Sequence, residues 1–201
     1  MKIGSMNSLV SRPIAFFLGV VVALIGDAGH VASGTTQYAA SGWPDVLLSP
    51  AWFPLVVGAS VVLTAQVGRQ LGLPSRGRTR AQLGYAALSV LGLYLLTSTL
   101  RSLVTVVSVT VVGVFALAVW YAWDRSARCF WVSIACAVLA STAEMALVAG
   151  GVYSYADGAL FGVAPWLPCL FFAAGAVASG VFGAPASASS VAPDGTRRAP
   201  S

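Results

Sequence analysis

Residues Leu103–Trp123 read LVTVVSVTVVGVFALAVWYAW, and not one of them is charged. The run exceeds the roughly 18 apolar residues needed to cross a bilayer core. It stops at a polar turn, Asp124-Arg125-Ser126-Ala127-Arg128, beyond which Cys129–Gly150 is again apolar apart from Glu144. Two such runs around a short charged turn predict a membrane hairpin of two helices, because helices satisfy every backbone polar group inside hydrocarbon. Composition carries this to the whole chain of 201 residues, which is 58% hydrophobic and only 8% charged. Mean hydropathy is +0.85, whereas a soluble domain is about a quarter charged because its surface faces water.

The remaining sequence divides in the same way. Spans are predicted over about Pro13–Ala32, Trp52–Leu71, Ala81–Thr99, Leu103–Trp123, Cys129–Gly150 and Val163–Phe182. The expected fold is an all-α, polytopic membrane protein, a bundle of six transmembrane helices. Pro13 suits a first helical turn, where its missing N–H has no partner to lose. Thr97–Ser102 is the polar break between the third and fourth spans. One unbroken helix across both would rise about 64 Å, twice the hydrocarbon thickness.

Sidedness follows from the charges. With six spans, Lys2, Arg12, Arg69, Arg76, Arg78, Arg80, Arg125, Arg128, Arg197 and Arg198 share one face, and of the 11 Lys and Arg residues only Arg101 falls on the other. Short loops rich in Lys and Arg stay cytoplasmic, so the N and C termini are expected there. The net charge of +5 thus reflects topology and anionic headgroups, and no nucleic-acid partner is expected. Residues 1–183 read as a single membrane domain. Residues 184–201, rich in Ala, Ser, Pro and Gly, read as a disordered cytoplasmic tail that cannot bury enough apolar surface to order itself.

Few residues suggest chemistry. Cys129, Cys136 and Cys169 lack the paired spacing of a metal site, and His30 is the only imidazole. A nucleophile–base–orienter set is missing, so the chain reads as neither an enzyme nor a cofactor protein. Asp27 and His30, spaced i, i+3, share a helix face; they are either a proton-relay pair or polar groups at the outer headgroups. Glu144 lies about fifteen residues into its span, where an ionised carboxylate needs a partner. It either faces a cavity and touches a ligand's polar head, or bonds to a neighbouring helix. Gly175, Ser179 and Gly183 form a small-residue stripe for close helix packing, within the bundle or between subunits. Trp43, Trp52 and Trp166 read as outer interfacial anchors, with Trp120, Trp123 and Trp131 as the inner belt.

Three motifs add a family. Trp120, Trp123, Asp124, Arg125 and Ser126 read W-x-x-W-D-R-S; Gly151, Val152, Tyr153 and Tyr155 read G-V-Y-x-Y; Trp166, Leu167, Pro168, Cys169, Phe171 and Phe172 read W-L-P-C-x-F-F. Together they resemble the Insig (insulin-induced gene) family, membrane sterol sensors that hold back lipid-synthesis machinery. The resemblance covers about Phe115–Gly183, and Ser49–Pro54 is similar to the Trp- and Pro-rich start of the family's second span. It implies a pocket for an oxysterol and places Asp124, with Trp120 one turn before it, on a partner surface, since the matching Asp is associated with the sterol-sensing partner Scap. The competing reading of Asp124 is a residue that shapes the loop.

Departures bear on the ligand. The nearly apolar Leu103–Val107 and the Ser33–Ser49 loop are unlike the family's counterparts. Ten arginines beside one lysine suggest a GC-rich, bacterial genome, hence a bacterial homologue in the cell membrane; in a eukaryote the location would be the endoplasmic reticulum. The expected function is a lipid-binding sensor or scaffold that holds an oxysterol-like or diacylglycerol-like lipid in an intramembrane cavity and regulates a membrane partner, with a homo-oligomer possible. A phosphate head would want Arg or Lys inside the bilayer, so a neutral head is expected. Thr97, Thr142, Glu144 and Tyr153 are the candidate polar contacts. The alternatives are a small proton-coupled transporter using Asp27, His30, Arg101 and Glu144, and a siteless subunit or assembly factor.

Overall fold

The computed structural model describes residues 6–39, 42, 44–73, 79–100 and 103–182. The expected tail (184–201), Arg101, Trp43, Gly183 and the charges Lys2, Arg76, Arg78, Arg197 and Arg198 lie outside the described residues. Among the described residues there are six helices: α1 (Met6–Ala32), α2 (Trp52–Gln70), α3 (Arg80–Thr99), α4 (Thr105–Trp123), α5 (Ala127–Ala149) and α6 (Leu167–Phe182). Short strands β1 (Thr36–Tyr38), β2 (Asp45–Val46) and β3 (Ser49–Pro50) join α1 to α2, and β4 (Tyr153–Tyr155) follows α5. Five of the helices are long and apolar enough to cross a membrane.

Helix ends follow local chemistry, with one correction. α1 begins at Met6, so Pro13 lies inside the helix. An interior Pro removes one backbone hydrogen bond, which a long helix tolerates; the apolar portion still starts at Arg12. α3 opens with a capping box, Thr79 Oγ1 accepting from Gln82 N–H and Gln82 Oε1 accepting from Thr79 N–H. α3 and α4 are separate helices, split at the expected break.

The shortest helix is the central one. α6 has 16 residues, about 24 Å at 1.5 Å per residue, and 12 of them are buried. The other five helices pack against it. Close approach in lipid requires small residues, because dispersion and backbone contacts replace the hydrophobic drive available in water. The α6 stripe supplies them. A Cβ on Gly175 would stand 2.8 Å from Cys136 Cβ on α5, and one on Gly68 of α2 would stand 2.7 Å from the Ser179 carbonyl oxygen. Within the described residues the stripe therefore faces α5 and α2 inside the bundle. α1 and α2 cross just as closely, since a Cβ on Gly58 would meet the Phe16 carbonyl oxygen at 2.9 Å.

Around α6 the helices run α5, α2, α1, α3, α4, each packed on the next. The ring is open between α4 and α5, which pack on α6 from either side although only Asp124–Ser126 separates them in sequence. Over one end, β1 pairs antiparallel with β4, setting Tyr38 opposite Tyr153 and Thr36 opposite Tyr155. That ladder ties the loop after α1 to the loop after α5.

Candidate functional site

Two buried carboxyl groups sit beneath the β1–β4 ladder, on the face that the charge split assigns to the outside. Asp27 of α1 is 2% exposed and accepts hydrogen bonds from Tyr38 (2.8 Å) and Ser49 (2.5 Å). Glu144 of α5, 9% exposed, accepts from Tyr153 and from Tyr155 (2.9 Å). The sheet register puts the Tyr38 and Tyr153 rings 5.4 Å apart, edge to face. Hydroxyl groups supply these bonds, each O–H donating to a carboxyl oxygen. Burial, reinforced by the neighbouring carboxyl groups, pushes the Tyr38, Tyr153 and Tyr155 phenols above the usual tyrosine range. The three phenols therefore stay protonated and remain donors.

His30 lies one turn beyond Asp27 but in a different network. Its Nε2 is 2.7 Å from Thr97 Oγ1, and Thr97 donates onward to the Tyr94 carbonyl at 2.5 Å. Thr97 has one proton to give, so His30 Nε2–H is the donor to it, a tautomer assigned from the network. The imidazole is edge-on to Tyr94 (4.6 Å) and Trp166 (5.3 Å). Asp27 and His30 are thus core residues with separate partners, contrary to the expectation of groups at the headgroups, because β1–β4 and β2–β3 cover that end of α1. Trp166, expected as an interfacial anchor, is likewise 2% exposed.

Below this roof a cleft of about 220 Å³ runs between α1, α2, α3, α5 and α6. Trp52, Phe53, Tyr94, Glu144 and Tyr155 line its roofed end, and Val177 and Phe182 its far end. Ser60, Thr64 and Cys136 are its other polar lining residues, and no described lining residue is basic. A separate apolar groove of about 540 Å³ fills the open seam between α4 and α5.

The structure brings only two of the four candidate ligand residues together. Glu144 and Tyr153 are hydrogen-bonded. Thr97 is fully buried against His30 behind the cleft lining. Thr142 points away, its hydroxyl bonded to the Val138 carbonyl (2.8 Å), and it lines the α4–α5 groove. Positions i and i+2 on a helix do not share a face, so Thr142 and Glu144 cannot both enter one cleft. Tyr38, Ser49 and Tyr155 join the site without being among the four candidates. Tyr155 was legible in the G-V-Y-x-Y motif, whereas Ser49 carries no signal of its own. Of the residues in the carrier alternative, Asp27, His30 and Glu144 all lie at one end of the bundle.

Asp124 sits at the opposite end and is 8% exposed. Its Oδ1 accepts from Ser126 N–H (2.8 Å), and Ser126 Oγ accepts from Cys129 N–H (3.2 Å), so the pair shapes the turn and caps α5. Asp124 packs on α6, where a Cβ on Gly180 would come within 2.7 Å of its own Cβ. This is the loop-shaping geometry. The other Asp124 oxygen and Trp120 Nε1 are buried without a hydrogen-bond partner among the described residues, and the Trp120 ring stacks edge-on with Phe130 at 5.3 Å.

A six-helix bundle, five helices long and apolar enough to cross a membrane packed around a short central one, with an apolar cleft closed by a carboxyl–tyrosine roof, defines a multi-pass membrane protein with an internal cavity. No family model matches the chain. It is 38% identical over 171 residues to an INSIG protein homolog of Mycolicibacterium vanbaalenii, covering 83% of this chain and 82% of that one. It is 26% identical over 175 residues to insulin-induced gene 2 protein of Gallus gallus, covering 85% of this chain and 78% of that one. The crystal structure of the mycobacterial Insig homolog MvINS from Mycobacterium vanbaalenii superposes with a TM-score of 0.82 at 34% identity, covering 87% of this chain and 93% of that one. A cross-linked trimer of MvINS matches equally well, with a TM-score of 0.82 at 35% identity and the same coverage. The chain belongs to the Insig family, as a bacterial homologue and an integral membrane protein.

Proposed function

We propose that this protein is a lipid-binding regulator whose cleft takes a neutral lipid with a small hydroxylated head, sterol-like or diacylglycerol-like. The observation that carries the reading is the cleft's polarity: apolar along its length, it ends at the acceptor Glu144 and the phenol of Tyr155, with no described basic lining residue. A hydroxyl donor suits that end. A phosphate would face a carboxyl group with no cation to offset the repulsion.

Size refines the proposal. The cleft of about 220 Å³ lies below the ~300–1,000 Å³ of a pocket for a drug-sized ligand. The head and the start of one chain fit, and the rest of the lipid lies between helices or opens the cleft. Moving from bilayer to cleft gains little apolar transfer energy, so affinity rests on shape and the Glu144 contact. A ligand shifts only an equilibrium whose states it binds unequally. Parting of the cleft-lining helices is that change here, and it would be read by a membrane partner. Asp124 and Trp120 would serve such a partner by fixing the shape of the α4–α5 turn. The trimer of the relative supports a homo-oligomer.

Mass spectrometry of lipid that co-purifies in mild detergent tests the reading. Wild-type protein should retain a neutral lipid near one per chain, and folded Glu144→Leu should lose most of it. Thr97→Val should retain it, since Thr97 lies behind the cleft lining. A tightly held anionic phospholipid, or undiminished retention in Glu144→Leu, would refute the proposed site.

A further inference from the structure

All three non-glycine residues with positive φ among the described residues are large, apolar and exposed. Leu47 (φ 49°) and Leu48 (φ 72°) form the tip of the β2–β3 hairpin, and Phe161 (φ 50°) lies in the loop before α6. They are 61%, 56% and 82% exposed. The left-handed region brings Cβ against the backbone, so it falls to Gly, Asn or Asp where nothing else demands a side chain. Two-residue hairpin loops with positive φ at both central positions favour Asn-Gly for that reason. Here the chain holds Leu-Leu instead, with its side chains on the surface.

Two contacts set the depth of these loops. Ser49, next to Leu48, donates to Asp27 Oδ2 at 2.5 Å, and Asp27 lies more than one turn inside the end of α1 at Ala32. The hairpin is therefore drawn down beside the bundle and does not stand above it. Gly162, next to Phe161, packs on Val148, where an added Cβ would stand 2.8 Å from its Cγ1; Val148 is in the last turn of α5. Both tips thus lie level with the outer ends of the spans. The hairpin also runs directly into α2, whose first turn exposes Leu55.

We infer that Leu47, Leu48 and Phe161 are wedges that insert into the outer leaflet of the protein's own bilayer, at the boundary of headgroups and acyl chains. Partition into that layer selects apolar side chains where the backbone alone would select Asn or Gly. The Ser49–Asp27 bond then acts as the strut that holds the hairpin wedge at depth. The inference rests on loop geometry and does not depend on what occupies the cleft.

The test uses full-length protein with Cys136 and Cys169 replaced by alanine, in phosphatidylcholine vesicles brominated either near the headgroup or deep in the chains. Single Leu48→Cys and Phe161→Cys variants carry an environment-sensitive NBD label, and Val114→Cys on the exposed face of α4 marks a full-depth position. Both loop labels should emit blue-shifted and be quenched more by shallow than by deep bromines, with the order reversed at Val114. Water-like emission, or no quenching, at either loop site overturns the inference. A label at Val46→Cys controls for the pull of the dye itself. Combining it with Leu47→Asn and Leu48→Gly, the pair the turn prefers, should preserve the melting temperature in detergent while shallow quenching at position 46 drops by half or more. Unchanged quenching there overturns the inference as well.

Discussion

Replacing Glu144 by Leu removes the acceptor that two tyrosines share while roughly conserving volume, so hydrogen bonding rather than packing dominates the result. Tyr153 is 4% exposed, and its hydroxyl and that of Tyr155 both point at Glu144 Oε2. Inter-helix hydrogen bonds in a membrane protein average about 0.6 and reach about 1.7 kcal/mol, while a buried donor left unsatisfied costs about 1–3 kcal/mol. Two donors lose their acceptor together, so Glu144→Leu should cost about 2–4 kcal/mol. Near 2–4 °C per kcal/mol for a chain of this size, that lowers the melting temperature by roughly 4–16 °C. Glu144→Gln keeps a carbonyl acceptor and should cost less than half as much. A cycle with Tyr153→Phe isolates the bond, because Phe has no hydroxyl to strand, and the double variant should cost about 1–2 kcal/mol less than the sum of the singles. Reversible unfolding in mixed detergent micelles measures the four variants against wild type. Strict additivity, or a Glu144→Leu variant within about 0.5 kcal/mol of wild type, would refute the argument that the roof is held by these bonds.

Gly68→Ala should destabilise by about 1–3 kcal/mol, the usual cost of overpacking, because its Cβ would meet the Ser179 backbone. Gly92→Ala in α3, with nothing within 4 Å, should stabilise by up to about 1 kcal/mol through helix propensity; thermal melts of the pair check both signs. Asp124→Ala removes the acceptor of Ser126 N–H and should cost about 0.5–2 kcal/mol, the range for a lost cap, seen as faster proteolysis of the α4–α5 turn. Arg78→Cys and Ser201→Cys should react with an impermeant maleimide from the same, cytoplasmic side of the membrane; labelling from opposite sides would break the six-span topology.

Hydropathy and charge were enough to place the five long helices, because a bilayer asks the same of every crossing segment: about twenty apolar residues and an internally bonded backbone. Helix α6 starts at Leu167, four residues later than expected, because the chain before it is turned back in a loop. The break at Thr97–Ser102, the two helices around Asp124 and the burial of Glu144 were all legible without a fold. The motif G-V-Y-x-Y marks the two tyrosines that bond Glu144. What the sequence could not show was which polar groups meet. Asp27 reads as either half of a relay with His30 or an interfacial residue, because the pattern along α1 says nothing of Ser49, which reaches it through a two-residue hairpin turn, or of Tyr38, which is positioned by pairing with a strand more than a hundred residues later. Thr142 read as a neighbour of Glu144 because the two are close in sequence, yet their helical phase turns them to opposite sides. Composition and periodicity are properties of single segments. The roof, the open seam between α4 and α5 and the central place of α6 arise from contacts between segments, which pair formation in three dimensions alone decides.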